Sequence, residues 1–384
     1  MNTNAIYLDH AAATPIDPLV VAAMQPYFTE LFYNPSSPYA SAVQVKRDYR
    51  EAKARIAREL GVLGDELVMT AGATESINLG LSAAGDGVLA VGATEHTSVL
   101  EVAKHLGGIV IPADEKGRIT AEAVRRSMYS DITLISVGLV NNELGIIQPI
   151  DEIMQVVEAE RERRRAAGES SPLYVHCDAS QGLPLLDIKP KRMGIDLLTL
   201  SAAKVYGPKQ VGLLWVRPGV TVSARIAGGG QEGGLRSGTE NVAGVVGFAV
   251  AVELAAKRRS GEIKRLRGLR DEMQRTLERE FPWMIVSSDK KKSLANFLHI
   301  SFPGIDAERL IFWLEQRGVM VATGSACAAN KGTQSHVLTA ISMGDEAIRG
   351  SLRISLGRLS TEENCREAVR LIIEAVRTEQ ERLG

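Results

Sequence analysis

The chain has 384 residues, 45% of them apolar and 24% charged, with a formal net charge of −1. That length exceeds what one hydrophobic core usually serves, so about two domains are expected, and the charge balance argues against direct binding to nucleic acid or to a membrane surface. The first residues lack a basic stretch followed by an apolar core, the most apolar run (Val242 to Val252) is too short to span a bilayer, and the three cysteines form neither a disulfide framework nor a metal-ligand spacing; a reducing cytoplasm fits best and no metal site is expected.

In chain order, Val43 to Leu60 has the helical period, with Val45, Tyr49, Ala52, Ile56 and Leu60 on one face and Gly61 as the stop. Leu67 to Thr70 reads as a strand, turning through Ala71 to Thr74 into a helix from about Glu75. Val88 to Val91 is a strand, Thr97 to Leu106 a helix, and Ile109 to Ile111 a strand after Gly107 and Gly108. Ile132 to Val140 is β-rich. Glu158 to Pro172, rich in arginine and glutamate, reads as a solvated helix end and loop without chemistry. Leu173 to Asp178 is a strand, an apolar strand in the stretch from Asp196 runs up to the small-residue corner before Lys204, and Val211 to Val216 is another. Ala255 to Phe281 reads as a charged amphipathic helix that connects domains. Phe297 to Phe302, a helix near 306–317, and Ser351 to Leu356 read as a smaller α+β unit. Strands alternating with helices predict a parallel α/β sheet.

Several positions could carry chemistry. Lys204 stands at a small-residue corner between two apolar strands, followed by the break at Gly207 and Pro208. A lysine is a poor choice there unless its amine has work to do, such as a Schiff base with a carbonyl cofactor; a surface lysine in a hairpin turn is the plain alternative. Asp178 ends its strand, where it could pair with a protonated ring nitrogen or simply cap the turn at Ala179 and Ser180. The turn Gly72 to Ser76 offers backbone N–H groups and the Thr74 hydroxyl to a phosphate, or serves only as a helix cap. Gly228 to Asn241 is glycine-rich and ends in Arg236, Ser237 and Thr239, which could donate to an anion; a flexible linker is the alternative. His96, before a helix, could stack on a ring or move protons. Arg353 alternates with Leu352, Ile354 and Leu356 and so faces away from them, as a carboxylate clamp or a surface ion pair. Cys327, in a small polar stretch without strand or helix period, suits a nucleophile; Cys177 and Cys365 read as packing residues.

Taken in order, these segments resemble the pyridoxal-phosphate cysteine desulfurases, the NifS/IscS-like branch of the fold-type I enzymes related to class-V aminotransferases. The pieces that carry the resemblance are Asn34 to Ser37, Gly72 to Ser76, Glu95–His96, Asn141 to Gly145, Asp178 to Gln181, Lys204 to Lys209, Arg236 to Thr239, Gly324 to Cys327 and Arg353 to Arg358. The resemblance implies a large domain (13–256) with a mainly parallel seven-stranded sheet between helices. A smaller α+β domain (1–12 and 257–384) would carry the cysteine loop. It implies pyridoxal 5'-phosphate as cofactor, L-cysteine as substrate, a homodimer, and sulfur-acceptor proteins as partners. Lys204 resembles the Schiff-base lysine, Asp178 the pyridinium partner, Gln181 the donor to the ring hydroxyl and His96 the stacking, proton-handling histidine. Ala73, Thr74 and Ser201 would contribute to the phosphate site, and Thr239 would reach the phosphate of the neighbouring subunit. Asn142 and Arg353 would hold the substrate carboxylate, and Cys327 would accept the sulfur as a persulfide.

Three departures from the family accompany the match. Ala203 stands where the family has a phosphate-binding histidine, which removes about 1.5–3 kcal/mol of charge-assisted hydrogen bonding if nothing replaces it. The stretch Tyr39 to Ala42 lacks a histidine and a glycine usual there, and the charged segment at 158–172 could be a partner surface. The expected reaction is conversion of L-cysteine to L-alanine with sulfur passed to Cys327. A selenocysteine lyase or another fold-type I lyase, and a non-catalytic scaffold for sulfur-transfer partners, are the alternatives. The acceptor pathway (iron–sulfur assembly, tRNA thiolation or sulfur modification of DNA) stays open.

Overall fold

Short runs of leucine, isoleucine and valine without polar interruption are the mark of strands covered on both faces, and they build the centre of this protein. The computed structural model describes residues 5–324 and 334–384. Its strands, in chain order, are β1 (Ile6–Tyr7), β2 (Leu67–Thr70), β3 (Val88–Gly92), β4 (Ile109–Ile111), β5 (Ile132–Ser136), β6 (Tyr174–Asp178), β7 (Leu197–Ser201), β8 (Gly212–Val216), β9 (Ile285–Val286), β10 (Phe297–Ser301), β11 (Val319–Met320) and β12 (Ser351–Ser355). Strands β2 to β8 form one seven-stranded sheet in the order β2-β8-β7-β6-β5-β3-β4. Only β8 runs against its neighbours, so the other six strands point the same way. Every residue of β5 and β7 is buried, as expected for a sheet covered by helices on both faces. The expected α/β architecture with a mainly parallel seven-stranded sheet is what the chain adopts.

Two smaller sheets complete the fold. One pairs β1 with β11, and the other has the order β12-β10-β9. They join residues distant in sequence: Ile6 pairs with Val319, and His299 with Arg353.

The helices differ from expectation in two places. The apolar run at 242–252 and the charged run at 255–281 form one continuous 39-residue helix, Val242–Glu280. Asn241 caps it by accepting from the Gly244 N–H at 2.9 Å. Its first three turns are buried almost all round, while its later part alternates buried Leu266, Arg270, Met273 and Leu277 with exposed charges.

The arginine-rich stretch is the second correction. Helix Ile150–Ala166 runs through it, and its arginines are not all solvated. Arg164 is 2% exposed; it pairs with Glu160 at 2.8 Å and donates to the carbonyls of Pro172 and Tyr129. Arg161 donates to Asp196, which precedes β7, and to the carbonyl of Leu173. Buried guanidinium groups here satisfy loop carbonyls that have no ladder partner.

Candidate active site

The parallel strands bring chemistry to one edge. Gly72 to Thr74 follow the carboxyl end of β2, Glu95 and His96 that of β3, Gly138 to Glu143 that of β5, Asp178 to Gln181 that of β6, and Ser201 to Lys204 that of β7. In an open α/β sheet this edge is where ligands bind. The residues line one cavity of about 900 Å³, room for a cofactor and a small substrate together.

Each position has a local cause. After β7 the chain tightens into a 3₁₀ turn, Ala202–Lys204, which carries the Lys204 side chain into the cavity. Its Nζ donates to the carbonyls of Ala11 and Ala12 at 2.8 and 2.7 Å. Gln181 Nε2 reaches the same Ala11 carbonyl at 3.0 Å, so the N-terminal segment ties Gln181 to Lys204. Asp178 makes the turn cap that was weighed for it and also faces the cavity. Its Oδ1 caps the turn, accepting from the Ser180 N–H and hydroxyl at 3.0 and 2.7 Å, while the residue still lines the cavity.

Helix Ala73–Gly80 begins two residues earlier than the sequence suggested, with Gly72 as its N-cap at φ 138°, a conformation that favours glycine. A methyl group added at Gly72 would meet nothing within 4 Å, so the helix start opens onto free space. Opposite, a methyl group at Gly212 would fall 2.6 Å from the Gly72 backbone; the start of β8 can approach this turn only because Gly212 has no side chain. Ser201, at the end of β7, and Ala203 also line the cavity.

His96 is the N-cap of helix Thr97–His105, its Nδ1 accepting from the Ser98 N–H at 3.1 Å. It opens onto the cavity, yet desolvation pushes its pKa down, opposed by Asp178 and reinforced by Lys204 and His336.

Arg353 is not a surface ion pair. It is 3% exposed; Nη2 pairs with Asp9 at 2.7 Å, and Nη1 donates to the carbonyls of Asn142 and Gly324 at 2.9 and 3.2 Å. Its Nε is buried and has no hydrogen-bond partner among the described residues, which leaves a donor over. Asn142 and Arg353 both line the cavity.

Thr239 stands apart: it is exposed and does not line this cavity. The glycine-rich segment leading to it is no flexible linker. Glu232 pins it, accepting from Tyr49 Oη at 2.5 Å, Lys53 Nζ at 2.9 Å and the Met69 N–H at 2.7 Å. Arg236, expected as an anion donor, is engaged by Glu75 at 2.9 Å. Cys327 lies outside the described residues. Cys177 and Cys365 are buried, and burial pushes both thiols up, Cys365 to about 11; neither is a ready nucleophile.

Sequence reasoning passed over three residues of the site. Glu95 is buried, accepts from the Gly138 N–H, and is pushed up to about 8 by burial, with Asp178 adding to the shift. Glu143 is buried beside Arg353. His336 lines the cavity and contacts the Glu95 carbonyl through Nε2 at 2.9 Å. Glu95 and Glu143 sat inside motifs already singled out, each in a polar turn just after a buried strand.

These residues fit pyridoxal phosphate. A lysine amine, a strand-end carboxylate and an open helix N-terminus with Thr74 and Ser201 line one cavity, matching an aldehyde, a ring nitrogen and a phosphate.

Comparison with known proteins agrees. The class-V aminotransferase family model matches residues 6–367. The chain is 39% identical over 371 residues to the cysteine desulfurase IscS 1 of Archaeoglobus fulgidus, covering 93% of each protein. Its fold is similar to that of a solved NifS-like protein, with a TM-score of 0.89 and 30% identity over 97% of this chain and all of the other. It is also similar to SspA in complex with cysteine, with a TM-score of 0.76 and 32% identity over 91% and 98% of the two chains.

Proposed function

The chain belongs to the class-V aminotransferase family, as a cysteine desulfurase of the IscS/NifS kind, and from that premise we propose which of its residues perform the reaction. The overall change takes L-cysteine to L-alanine: the carbon–sulfur bond breaks, a proton replaces sulfur on the substrate, and the sulfur joins an enzyme thiol as a persulfide before passing to an acceptor.

Pyridoxal phosphate, when bound, supplies an electron sink for charge developing at the substrate Cα. Lys204 would hold its aldehyde and serve as the base at Cα. Asp178 would keep the ring nitrogen protonated, Gln181 would donate to the ring hydroxyl, and His96 would cover the ring face. Ala73 and Thr74 at the helix start, with Ser201, would hold the phosphate. Asn142 and Arg353 would orient the substrate carboxylate, Arg353 through its spare Nε. Cys327 would take the sulfur. The observation that carries this assignment is the convergence of Lys204, Asp178, Thr74 and Arg353 from separate parts of the chain on one cavity.

Thr239, exposed and outside its own chain's cavity, is assigned to the phosphate site of a second copy. A homodimer is further supported by the exposed apolar side chains Leu19, Val21, Phe28, Phe32, Tyr39 and Val43 within one short stretch. The two-part division at residues 13–256 against 1–12 and 257–384 is supported by the sheets: β2 to β8 lie within the first part, and the two smaller sheets draw on the second. No helix among the described residues is long and apolar enough to cross a membrane, in keeping with a cytoplasmic enzyme that hands sulfur to acceptor proteins.

Replacing Lys204 tests the assignment. Lys204→Ala protein incubated with pyridoxal phosphate is expected to lack the visible absorbance of lysine-bound cofactor and to release no alanine from L-cysteine. Alanine release at the wild-type rate would overturn it.

A further inference from the structure

The turn after β5 holds an acid with no role in the assignment above. Glu143 is 0% exposed, and a buried carboxyl group is costly unless its oxygens are satisfied. One oxygen is: Oε2 accepts from the Ser335 hydroxyl at 2.5 Å. The other, Oε1, has no hydrogen-bond partner among the described residues. The residue lines the cavity.

Its surroundings are specific. A methyl group added at Gly324 would fall 2.3 Å from Glu143 Oε2, so the chain at Gly324 lies directly against the carboxyl group. Ser335, on the other side, also caps helix His336–Ala340 by accepting from the Leu338 N–H at 3.2 Å. Asn141 fixes the acid's own position. Its Oδ1 accepts from the Glu143 and Leu144 N–H groups at 2.9 and 2.7 Å, and its Nδ2 donates to the Thr94 carbonyl at 2.8 Å. Arg353 donates to the Gly324 carbonyl at 3.2 Å and to the Asn142 carbonyl at 2.9 Å. Gly324 and Ser335 flank Cys327 in sequence.

We propose that Glu143 is a positioning residue for sulfur transfer: its carboxyl group binds Ser335 and packs against Gly324, which Arg353 holds by its carbonyl, so the residues on either side of Cys327 in sequence are fixed beside the arginine assigned to the substrate carboxylate. The proposal rests on the desulfurase reading. Fixing these two positions at the clamp for the substrate lowers the entropy of bringing thiol and substrate sulfur together. The described geometry also explains why position 324 is glycine, since any side chain would displace the carboxyl group.

The test separates sulfur transfer from the earlier chemistry at Cα. Protein loaded with pyridoxal phosphate is given L-alanine in heavy water, and exchange of the Cα proton is followed by NMR. The same samples are then given one equivalent of L-cysteine, and persulfide on Cys327 is timed by mass spectrometry. Glu143→Ala is expected to slow persulfide formation about tenfold or more, the scale expected for misplaced reacting groups, with Cα exchange far less affected. Glu143→Gln, which keeps an acceptor for Ser335, recovers most of the rate. Gly324→Ala slows persulfide formation in the wild-type background but adds little to Glu143→Ala, because the lost carboxyl group vacates the space the methyl group needs.

Equal losses of exchange and persulfide in Glu143→Ala, or fully additive effects of the two substitutions, would overturn the assignment. Wild-type protein that exchanges no Cα proton would instead overturn the desulfurase reading beneath it.

Discussion

Two acids at the cavity wall differ in kind although both are carboxyl groups. Asp178 accepts two hydrogen bonds from Ser180. Glu95 is fully enclosed and holds its proton up to about pH 8, so at neutral pH it is neutral. This has a stability consequence with a definite sign. Below about pH 4.5 the Glu95 side chain is protonated in folded and unfolded chains alike. Between there and about pH 8 the unfolded chain releases the proton while the folded one keeps it, so stability falls as pH rises. Glu95→Gln preserves an acceptor for the Gly138 N–H and removes this linkage. Its stability relative to wild type, from urea denaturation, should therefore improve between pH 5 and pH 8, by roughly 2 kcal/mol or more. A relative stability that stays flat across that range would show that Glu95 is ionised in the folded protein.

Among the elements, the helix Ile150–Ala166 shows how burial divides side chains that look alike in sequence. Arg163 pairs with Glu160 and Glu169 on the surface at 2.8 and 2.9 Å, and such exposed pairs contribute little. Its neighbour Arg164 is buried and satisfies two carbonyls. Arg164→Ala should cost about 2–4 kcal/mol, since it removes a buried side chain and strands the Pro172 carbonyl, whereas Arg163→Ala should stay within about 0.5 kcal/mol of wild type. Equal effects in equilibrium unfolding would refute the distinction. Sequence alone could not draw it, because an Arg/Glu run has no apolar period to reveal which face turns inward. The strands were far more legible: β4 and β2 were read to the residue, and β3, β6, β8, β10 and β12 within one residue at each end, since strands buried on both faces are written as unbroken apolar runs. The long Val242–Glu280 helix was read as two segments because its apolar start and charged continuation have different patterns, although nothing breaks the backbone between them.

For the whole molecule, acid should be the weak side. His10, His176 and His299 are buried and pushed down to about 4, 4 and 3 by desolvation. Between about pH 6.5 and 4.5 the unfolded chain takes up protons that these folded histidines refuse, so stability falls as pH falls. Glu95 works the other way by one proton, leaving a net slope of roughly two protons, about 2–3 kcal/mol per pH unit. Denaturation midpoints measured across that range should show this decline, and a flat profile would contradict it. The candidate site was largely readable in advance, because Asp178 and Arg353 sit on strands and Lys204 and Thr74 in the turn or helix start just after one, where alternation and turn chemistry mark them. Glu143, Ser335 and His336 were not, because their meaning depends on contacts between residues nearly two hundred positions apart. The central claim is that these parts serve one reaction, with sulfur leaving L-cysteine for Cys327. Its most direct test measures alanine and protein-bound persulfide together, in wild type and Cys327→Ser loaded with pyridoxal phosphate. The account predicts one alanine for each persulfide in wild type and neither product at an appreciable rate in Cys327→Ser; undiminished alanine formation without Cys327 would contradict it.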